Sequence, residues 1–167
     1  MVAGRPIGLL LDPDVPGPLS SGTAETDGRG RLRLPARLVM EVGWIPAGSE
    51  AVDALVVLST PGQIVLYSWN DHAQPIVDKR RQLIDLCKND SSVFGPLKAL
   101  EDRYKRLRIP SDLRPTLSDE ILLHLGVELN SPSLVYVWRV SNRLEISSIL
   151  YRNHLLLERW DELENLP

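Results

Sequence analysis

Residues 27–37 read Asp-Gly-Arg-Gly-Arg-Leu-Arg-Leu-Pro-Ala-Arg, and this stretch decides the predicted fold. It begins with an Asp-Gly turn, continues with arginine and leucine in alternation, and closes at Pro35. Alternation with a period of two is typical of a half-buried strand, in which the leucines face a core and the arginines face outward. We therefore predict a basic strand that follows the turn and ends at Leu34.

The end of this stretch recurs once, further along the chain. Residues 31–35 read Arg-Leu-Arg-Leu-Pro, and residues 106–110 read Arg-Leu-Arg-Ile-Pro. A match with a single conservative exchange favours an internal duplication, in which Arg31 corresponds to Arg106. We therefore predict two units, residues 22–90 and residues 91–167, that form one compact fold. Residues 1–21, which are rich in Pro, Gly and Ser, are predicted to be an irregular N-terminal arm.

The composition is that of a protein that can bury a core without disulfides. Hydrophobic residues make up 43% of the 167 residues, but only four Trp, four Tyr and one Phe are present, so aliphatic side chains must fill most of the core. The single cysteine, Cys87, has no partner for an internal disulfide, which favours a reducing compartment. The apolar run at residues 7–11 is too short for a signal peptide, and no window reaches the length of a membrane span. We therefore expect a cytoplasmic protein with no membrane partner.

The charge of the chain is unevenly distributed. The formal net charge is −3, yet residues 28–44 carry four arginines against one acidic residue. Residues 103–114 carry five basic residues against one acidic residue. Local charge at a surface decides binding more than the total does. Two basic segments that both contain the repeated pentad favour a polyanionic partner over the alternative, in which each segment is an ordinary solvated strand face.

The remaining pattern predicts the same order of elements in both units: a basic strand, a short helix, a hairpin and a further helix. The bounds given below are predicted from the spacing of apolar residues and from the residues typical of helix ends. In the first unit we predict a helix over residues 36–42 ending at Gly43, strands over 52–58 and 64–67, and a helix over 70–88. In the second unit we predict a strand over residues 105–109, a helix over 119–125 between Ser118 and Gly126, strands over 133–140 and 143–149, and a helix over 151–163.

The first turn and strand resemble a known family. Asp27, Gly30 and Arg31, followed by the alternating strand and Pro35, are similar to the DxxGR motif of the MraZ family of division and cell-wall cluster regulators. That family is a member of the SpoVT-AbrB swapped-hairpin group. With its two tandem copies, the layout resembles the family over roughly residues 22–165.

The resemblance implies a fold, an assembly and a function. The fold is α+β, with two tandem swapped-hairpin units that form a pseudo-two-fold small β-barrel with flanking helices. The implied assembly is a ring-shaped homo-oligomer that binds double-stranded promoter DNA sequence-specifically, as a transcriptional regulator associated with the nucleoid. In the second copy, Asp102 and Arg106 match the motif, whereas Lys105 stands where the family has glycine. Lysine is disfavoured at positive φ, so we expect the second turn to have a different shape.

Arginine suits DNA binding because it carries a permanent charge and a planar donor fork that matches phosphate oxygens or a guanine edge. We predict that DNA is contacted by basic residues of both strands and turns: Arg29, Arg31, Arg33, Arg103, Lys105, Arg106 and Arg108. Structural roles in the two motifs are expected for Asp27, Gly30, Pro35, Asp102 and Pro110. Asp27 is expected to orient Arg31, and Asp102 to orient Arg106 in the same way.

Other functional classes remain as alternatives. The repeated Asp-Arg pair could be architectural, which would make the protein an assembly or interaction module with little or no DNA binding. An antitoxin-like regulator is disfavoured, because antitoxins with this hairpin usually carry one copy and a disordered tail. An enzyme is not predicted, because His72, His124 and His154 lack metal-ligand spacing and no nucleophile or phosphate-binding motif is present. We therefore expect no catalytic or metal site, no cofactor and no small-molecule substrate.

Overall fold

The computed structural model describes residues 19–46, 48 and 50–149 of the chain. We number its strands β1 (Leu19–Thr26), β2 (Val52–Val57), β3 (Gln63–Ser68), β4 (Tyr104–Ile109), β5 (Ser133–Val140) and β6 (Arg143–Ser148). The helices are α1 (Ala36–Val42), α2 (Trp69–His72), α3 (Gln74–Cys87), α4 (Phe94–Arg103) and α5 (Asp119–Leu125), with a 3₁₀ turn over Ser91–Val93. The predicted helix over residues 151–163 lies outside the described residues.

The six strands form one antiparallel sheet in the order β1-β5-β6-β3-β2-β4. The α+β class is therefore confirmed, but the predicted closed barrel is wrong. Strands β1 and β4 are the edges, and between their ends the described chain has the isolated bridges Thr26↔Leu32 and Arg31↔Thr116. Leu32 donates its N–H to the Pro115 carbonyl, whereas Pro115 has no N–H to return, so a regular ladder cannot form there.

The predicted basic strand at residues 31–34 is not a regular strand, because it makes only bridge pairing in the described structure. The regular strand of this region is β1, which precedes the turn and begins at Leu19, inside the predicted arm. The predicted alternation of side chains is nevertheless confirmed. Leu32 and Leu34 are buried, and Arg31 and Arg33 are exposed. Alternation therefore identified which side chains face the core but not which residues carry the sheet hydrogen bonds.

The two halves repeat the same type of turn, and the spacing of this repeat is not that of the pentad. Gly30 donates its N–H to the Asp27 carbonyl, and Leu113 donates to the Pro110 carbonyl, so that Leu113 corresponds to Gly30. Both Gly30 (φ 79°) and Leu113 (φ 62°) have left-handed backbone conformations. Helix α5 follows the second turn at the same distance along the chain as α1 follows the first turn.

The two post-turn segments also pair with each other symmetrically. Leu34 donates its N–H to the Leu113 carbonyl at 2.9 Å, and Leu117 donates to the Gly30 carbonyl at 2.8 Å. The segment after each turn therefore donates one backbone hydrogen bond to the left-handed residue of the other turn. The pentads at residues 31–35 and 106–110 are therefore not equivalent positions. The first follows its turn, whereas the second is edge strand β4, which precedes its turn.

The strand order has the same symmetry. Exchanging β1 with β4, β2 with β5 and β3 with β6 gives the same strand order read from the opposite edge of the sheet. Strand β1 pairs with β5, and β4 pairs with β2, so the leading strand of each half lies against a hairpin strand. Strands β3 and β6 meet at the centre, where Val65 lies opposite Glu145. The two halves therefore share one sheet.

The core is aliphatic, as the composition predicted. It lies between one face of the sheet and helices α1 and α5, and its largest fully buried side chains include Leu32, Leu34, Leu38, Ile64, Leu66, Ile109, Leu125, Leu144 and Ile146. Burial of each such side chain contributes about 1.5–3 kcal/mol. The helices predicted at residues 36–42 and 119–125 are confirmed, and each ends at a left-handed glycine, Gly43 or Gly126.

One predicted helix is divided in the structure. The helix predicted over residues 70–88 is divided into α2 and α3 at Ala73, next to Pro75, which lies in the first turn of α3. Gly95 and Pro96 lie in the first turn of α4, where a proline needs no N–H partner. Helices α3 and α4 pack against each other as a hairpin between β3 and β4. Within residues 19–46, 48 and 50–149, no helix has the length and apolar character needed to cross a membrane.

Candidate nucleic-acid interface

The turn between β1 and residue 31 is fixed by one carboxylate. Asp27 Oδ1 accepts hydrogen bonds from the backbone N–H groups of Arg29 (2.8 Å) and Arg31 (2.9 Å). Asp27 Oδ2 accepts from the Nε–H of Arg31 at 2.7 Å. Gly30 closes the turn by donating to the Asp27 carbonyl. Asp27 therefore holds both the backbone of the turn and the guanidinium of Arg31, as predicted from the sequence.

The same contacts keep Asp27 ionised. Its pKa is lowered to about 2, chiefly because its carboxylate accepts the backbone N–H of Arg31. The N–H of Arg29, the Arg31 side chain and its positive charge lower the pKa further, against an opposing effect of desolvation. The carboxylate is consequently charged at neutral pH and partly neutralises Arg31.

Gly30 is required by geometry. Its φ of 79° is left-handed, and a Cβ added there would lie 2.9 Å from the Leu117 carbonyl oxygen, closer than real contacts allow. The equivalent position in the second half is Leu113, whose side chain is buried in the core despite its positive φ. The two turns have the same backbone form but use different residues to reach it.

Four arginines gather around the two turns, and we call them the turn cluster: Arg29, Arg31, Arg33 and Arg114. Arg31, Arg33 and Arg114 line one open cavity of about 170 Å³ together with Glu25 and Asp27. Arg29 lies exposed on the turn itself. In the described part of the chain, the guanidinium groups of Arg29, Arg33 and Arg114 have no hydrogen-bond or ion-pair partner. The turn cluster therefore presents three guanidinium groups that are unpaired within the described residues next to the guanidinium of Arg31, which Asp27 holds in place.

Arg114 was not among the predicted binding residues. It follows Leu113 just as Arg31 follows Gly30, so it occupies the equivalent position of the second turn, and its N–H donates to Asp112. The pentad at residues 106–110 indicated the preceding strand instead. The signal that could have identified Arg114 is the spacing of the two short helices, whose terminal glycines, Gly43 and Gly126, are both readable in the sequence.

The predicted residues of the second copy lie on β4 and make different contacts. Arg106 and Arg108 share the exposed face, and we call them the strand pair. Asp53 on β2 accepts from Arg106 at 2.5 Å and lies 3.7 Å from Arg108. The Arg106 guanidinium also lies 4.5 Å from the centre of the Trp69 ring. Arg106 is consequently held by a carboxylate and an aromatic face, while Arg108 is only loosely paired.

The remaining second-copy residues are placed differently from expectation. Asp102 lies in α4 and pairs with Lys98 at 3.1 Å, so it does not orient Arg106. Lys105 lies within β4 and pairs with Glu120 at 2.6 Å, so it does not occupy a turn position.

Two more predicted residues, Arg103 and Pro110, lie at either end of β4. Arg103 ends α4, with its guanidinium 5.5 Å from the Tyr104 ring. Pro110 does follow the strand directly and begins the second turn. The predicted Asp102–Arg106 motif is therefore wrong, because the pentad repeat is not the structural repeat.

The histidines within the described residues make structural contacts. His124 Nε2 lies 2.8 Å from the Thr60 carbonyl oxygen, and the His72 ring packs against Tyr67 with centroids 5.0 Å apart. In the same residues, no group of three or more His, Cys, Asp or Glu side chains is arranged to hold a metal ion. His154 lies outside the described residues.

No model of a known protein family matches the chain, and no curated protein matches it.

Proposed function

We propose that the protein is a DNA-binding transcriptional regulator that contacts promoter DNA through the turn cluster. One observation carries this proposal: two adjoining turns expose one oriented arginine beside three that are unpaired within the described residues. An unpaired guanidinium loses no protein partner when it binds a phosphate, and a turn fixed by hydrogen bonds limits the ordering cost. The proposed role is binding rather than catalysis.

The topology supports a swapped-hairpin interpretation of the fold. In the sheet, β1 lies against β5 and β4 lies against β2, which is the kind of exchange expected when two hairpin units interlock. On this proposal residues 22–90 and 91–167 are the two units. Resemblance to the MraZ family then suggests a ring-shaped homo-oligomer associated with the nucleoid. An oligomer would present the turn cluster several times to one DNA, so that weak individual contacts add to a tight complex.

The contacts suggest a ranking among the basic residues. Arg29, Arg33 and Arg114 rank first because no carboxylate forms an ion pair with them among the described residues. Arg31 ranks next, because Asp27 orients its guanidinium but also reduces its charge.

The residues of the second copy rank lower. Arg108 comes first among them because its contact with Asp53 is long and its side chain is exposed. We assign Arg106, Lys105 and Arg103 smaller contributions, since each is held by another protein group.

The proposal is tested by measuring binding to DNA from upstream of the gene at two or more salt concentrations. Fluorescence anisotropy should show a steep loss of affinity as salt rises, because phosphate contacts release counterions. Replacing Arg33 or Arg114 by alanine should reduce the slope of log K against log salt by about 0.9 per lost contact. Arg81→Ala, which removes the same charge from helix α3, is the matched control and should leave the slope unchanged.

One observation favours the assembly module as a second candidate. Two of the predicted arginines, Arg31 and Arg106, are already paired with carboxylates of the same chain. If no DNA binds even at low salt, these pairs are architectural and the module is the better description. Binding that is salt-sensitive but equal in the Arg33→Ala, Arg114→Ala and Arg81→Ala variants would instead move the interface away from the turn cluster.

A further inference from the structure

The sheet has a cavity of about 250 Å³ on the face opposite the core. Leu55 and Val57 of β2 form part of its lining, and they alternate along the strand with Ala54 and Val56, which belong to the core. Ile76 of α3 lines the cavity from the helical side. The volume is close to the lower end of the range typical of small-molecule sites, so the cavity suits a compact ligand.

Aromatic side chains form much of the wall of this cavity, which we call the aromatic pocket. Tyr67 of β3, His72 of α2 and Tyr104 of β4 all line it. The ring centroids of Tyr67 and His72 lie 5.0 Å apart, and the two ring planes are inclined at 55°. Aromatic rings are stabilised by a further ring in offset or edge-to-face contact. The aromatic pocket is therefore suited to a ligand that carries a planar ring.

A cation also lines the aromatic pocket. Arg103, the last residue of α4, has its guanidinium 5.5 Å from the centre of the Tyr104 ring. Within the described residues this guanidinium has no hydrogen-bond or ion-pair partner, and none of the described side chains that line the pocket is acidic. Arg106 of β4, by contrast, is paired with Asp53. An anion that binds beside Arg103 therefore gains a charge-assisted hydrogen bond and displaces no protein carboxylate.

Three further polar groups around the pocket have no hydrogen-bond partner in the part of the chain that the structure describes. They are the hydroxyls of Tyr67 and Tyr104 and the imidazole of His72. Each of these groups can donate a hydrogen bond to an acceptor on a ligand. A small-molecule site typically combines an apolar lining with a few polar groups that converge on the ligand. The aromatic pocket has both features, and its cation selects an acidic ligand.

We propose that the aromatic pocket binds a small aromatic carboxylate. The ring of the ligand packs against Tyr67 and Tyr104, and its carboxylate accepts hydrogen bonds from the guanidinium of Arg103. No residue of the turn cluster lines the aromatic pocket. Ligand binding there does not depend on the proposed binding of DNA.

The test is a titration of the full chain with benzoate, measured by calorimetry in the absence of DNA. The wild-type protein should bind benzoate with a Kd of about 1 mM or lower, the affinity expected of so small a ligand. Benzamide has the same ring without the charge and should bind about tenfold more weakly. Cyclohexanecarboxylate has the charge without the planar ring and should bind about threefold more weakly.

Substitutions show whether the aromatic pocket is the binding site. Arg103→Gln should weaken benzoate binding about tenfold, because it removes the charged donor. Arg81→Gln is the matched control, since it removes the same charge from α3 but lies outside the lining of the pocket, and it should bind benzoate like the wild type. His72→Leu removes one ring from an exposed position, so it should weaken binding about threefold and leave the core intact.

Amide NMR spectra of the wild-type protein locate the bound benzoate without any substitution. The changes in chemical shift should be centred on Val57, Tyr67 and Tyr104. Absence of binding at about 10 mM benzoate, or shift changes confined to the turn cluster, would overturn the proposal. Equal Kd values for benzoate and either of the two other compounds, or equal effects of Arg103→Gln and Arg81→Gln, would do the same.

The aromatic pocket and the turn cluster can be tested separately. Arg33→Ala should leave benzoate binding unchanged, because Arg33 does not line the aromatic pocket. Benzoate binding without DNA binding would leave only the aromatic pocket standing, and DNA binding without benzoate binding would leave only the turn cluster.

Discussion

The two turns of the molecule have the same backbone and different chemistry. In the first turn, Asp27 holds the chain with its carboxylate, and Gly30 takes the left-handed conformation. In the second turn, Pro110 stands at the position of Asp27, and Leu113 takes the left-handed conformation. Each turn still delivers one arginine, Arg31 or Arg114, to the same cavity.

This difference shows that the same turn backbone can form without the residues of the sequence motif. The second turn lacks the glycine, and its carboxylate, Asp112, stands two residues later than the position of Asp27 and accepts the N–H of Arg114. It nevertheless has the same hydrogen bond across the turn and the same pairing with the first segment. Leu113 offsets the strain of its positive φ by burying its side chain in the core. The glycine of the first turn is instead imposed by the close approach of the Leu117 carbonyl.

The largest effect is expected at Gly30. Gly30→Ala should lower the free energy of unfolding by about 3 kcal/mol, because both its positive φ and the contact with the Leu117 carbonyl are violated. Gly43→Ala is the control, since φ there is 87° but no atom lies within 4 Å of the added Cβ. It should cost only about 1 kcal/mol in urea unfolding. Equal losses would mean that the turn can shift away from Leu117.

Substitutions at Leu113 sharpen the same comparison. Leu113→Ala should destabilise the protein by about 2–3 kcal/mol, because it removes a buried side chain and keeps the strained conformation. Leu113→Gly removes the same side chain but relieves the strain, so it should be about 1 kcal/mol more stable than Leu113→Ala. Urea denaturation of the two variants measures this order. The reverse order would show that the positive φ of Leu113 carries no strain.

The equivalence of the two arginines can be tested directly. Arg114→Ala should weaken DNA binding by about three- to tenfold, and Arg31→Ala should weaken it less, because Asp27 already neutralises part of the Arg31 charge; each should lower the salt slope. Arg31→Ala should change the free energy of unfolding by less than about 1 kcal/mol, because its ion pair with Asp27 is exposed. An effect of Arg31→Ala alone would restrict the DNA interface to the first turn.

The smallest effect is expected from acid titration of the first turn. The pKa of Asp27 is about 2 in the folded protein, below its ordinary value of 3.8. A depressed folded pKa gives a stabilisation that is complete above the ordinary value and is lost as the pH falls toward about 2. The stability difference between the wild type and Asp27→Asn should therefore shrink between these pH values. A difference that does not change with pH would mean that the carboxylate is not what holds the turn.

Local signals predicted the elements well, and pairing over long distances was predicted poorly. Proline or serine before a short apolar segment, with glycine after it, gave α1 and α5 with their observed bounds. The hairpins of β2–β3 and β5–β6 followed from apolar runs that flank a turn. These helices and hairpins are determined by residues that are close in sequence, so local sequence patterns are enough to predict them.

The errors share one physical origin. The pentad repeat matched Arg31 with Arg106, whereas the turns match Arg31 with Arg114, and only hydrogen bonds between the halves reveal this. Arg114 was missed for that reason. The barrel was implied by the family resemblance, and the pairing between residues 30–34 and 113–117 stays incomplete because Pro115 has no N–H and both Gly30 and Leu113 donate theirs within their own turns. Tertiary pairing, not local preference, decides such positions.

The position of β1 in the sheet has a consequence for biosynthesis. Strand β1 can form its ladder only after β5 has left the ribosome, since it pairs with β5 along its whole length and Thr26 binds the backbone of Ser133. The N-terminal half must wait in an incomplete state, and folding of this kind is slow because it depends on distant contacts. Two separately expressed halves, cut near residue 89, should accordingly be insoluble alone and reconstitute when they are produced together.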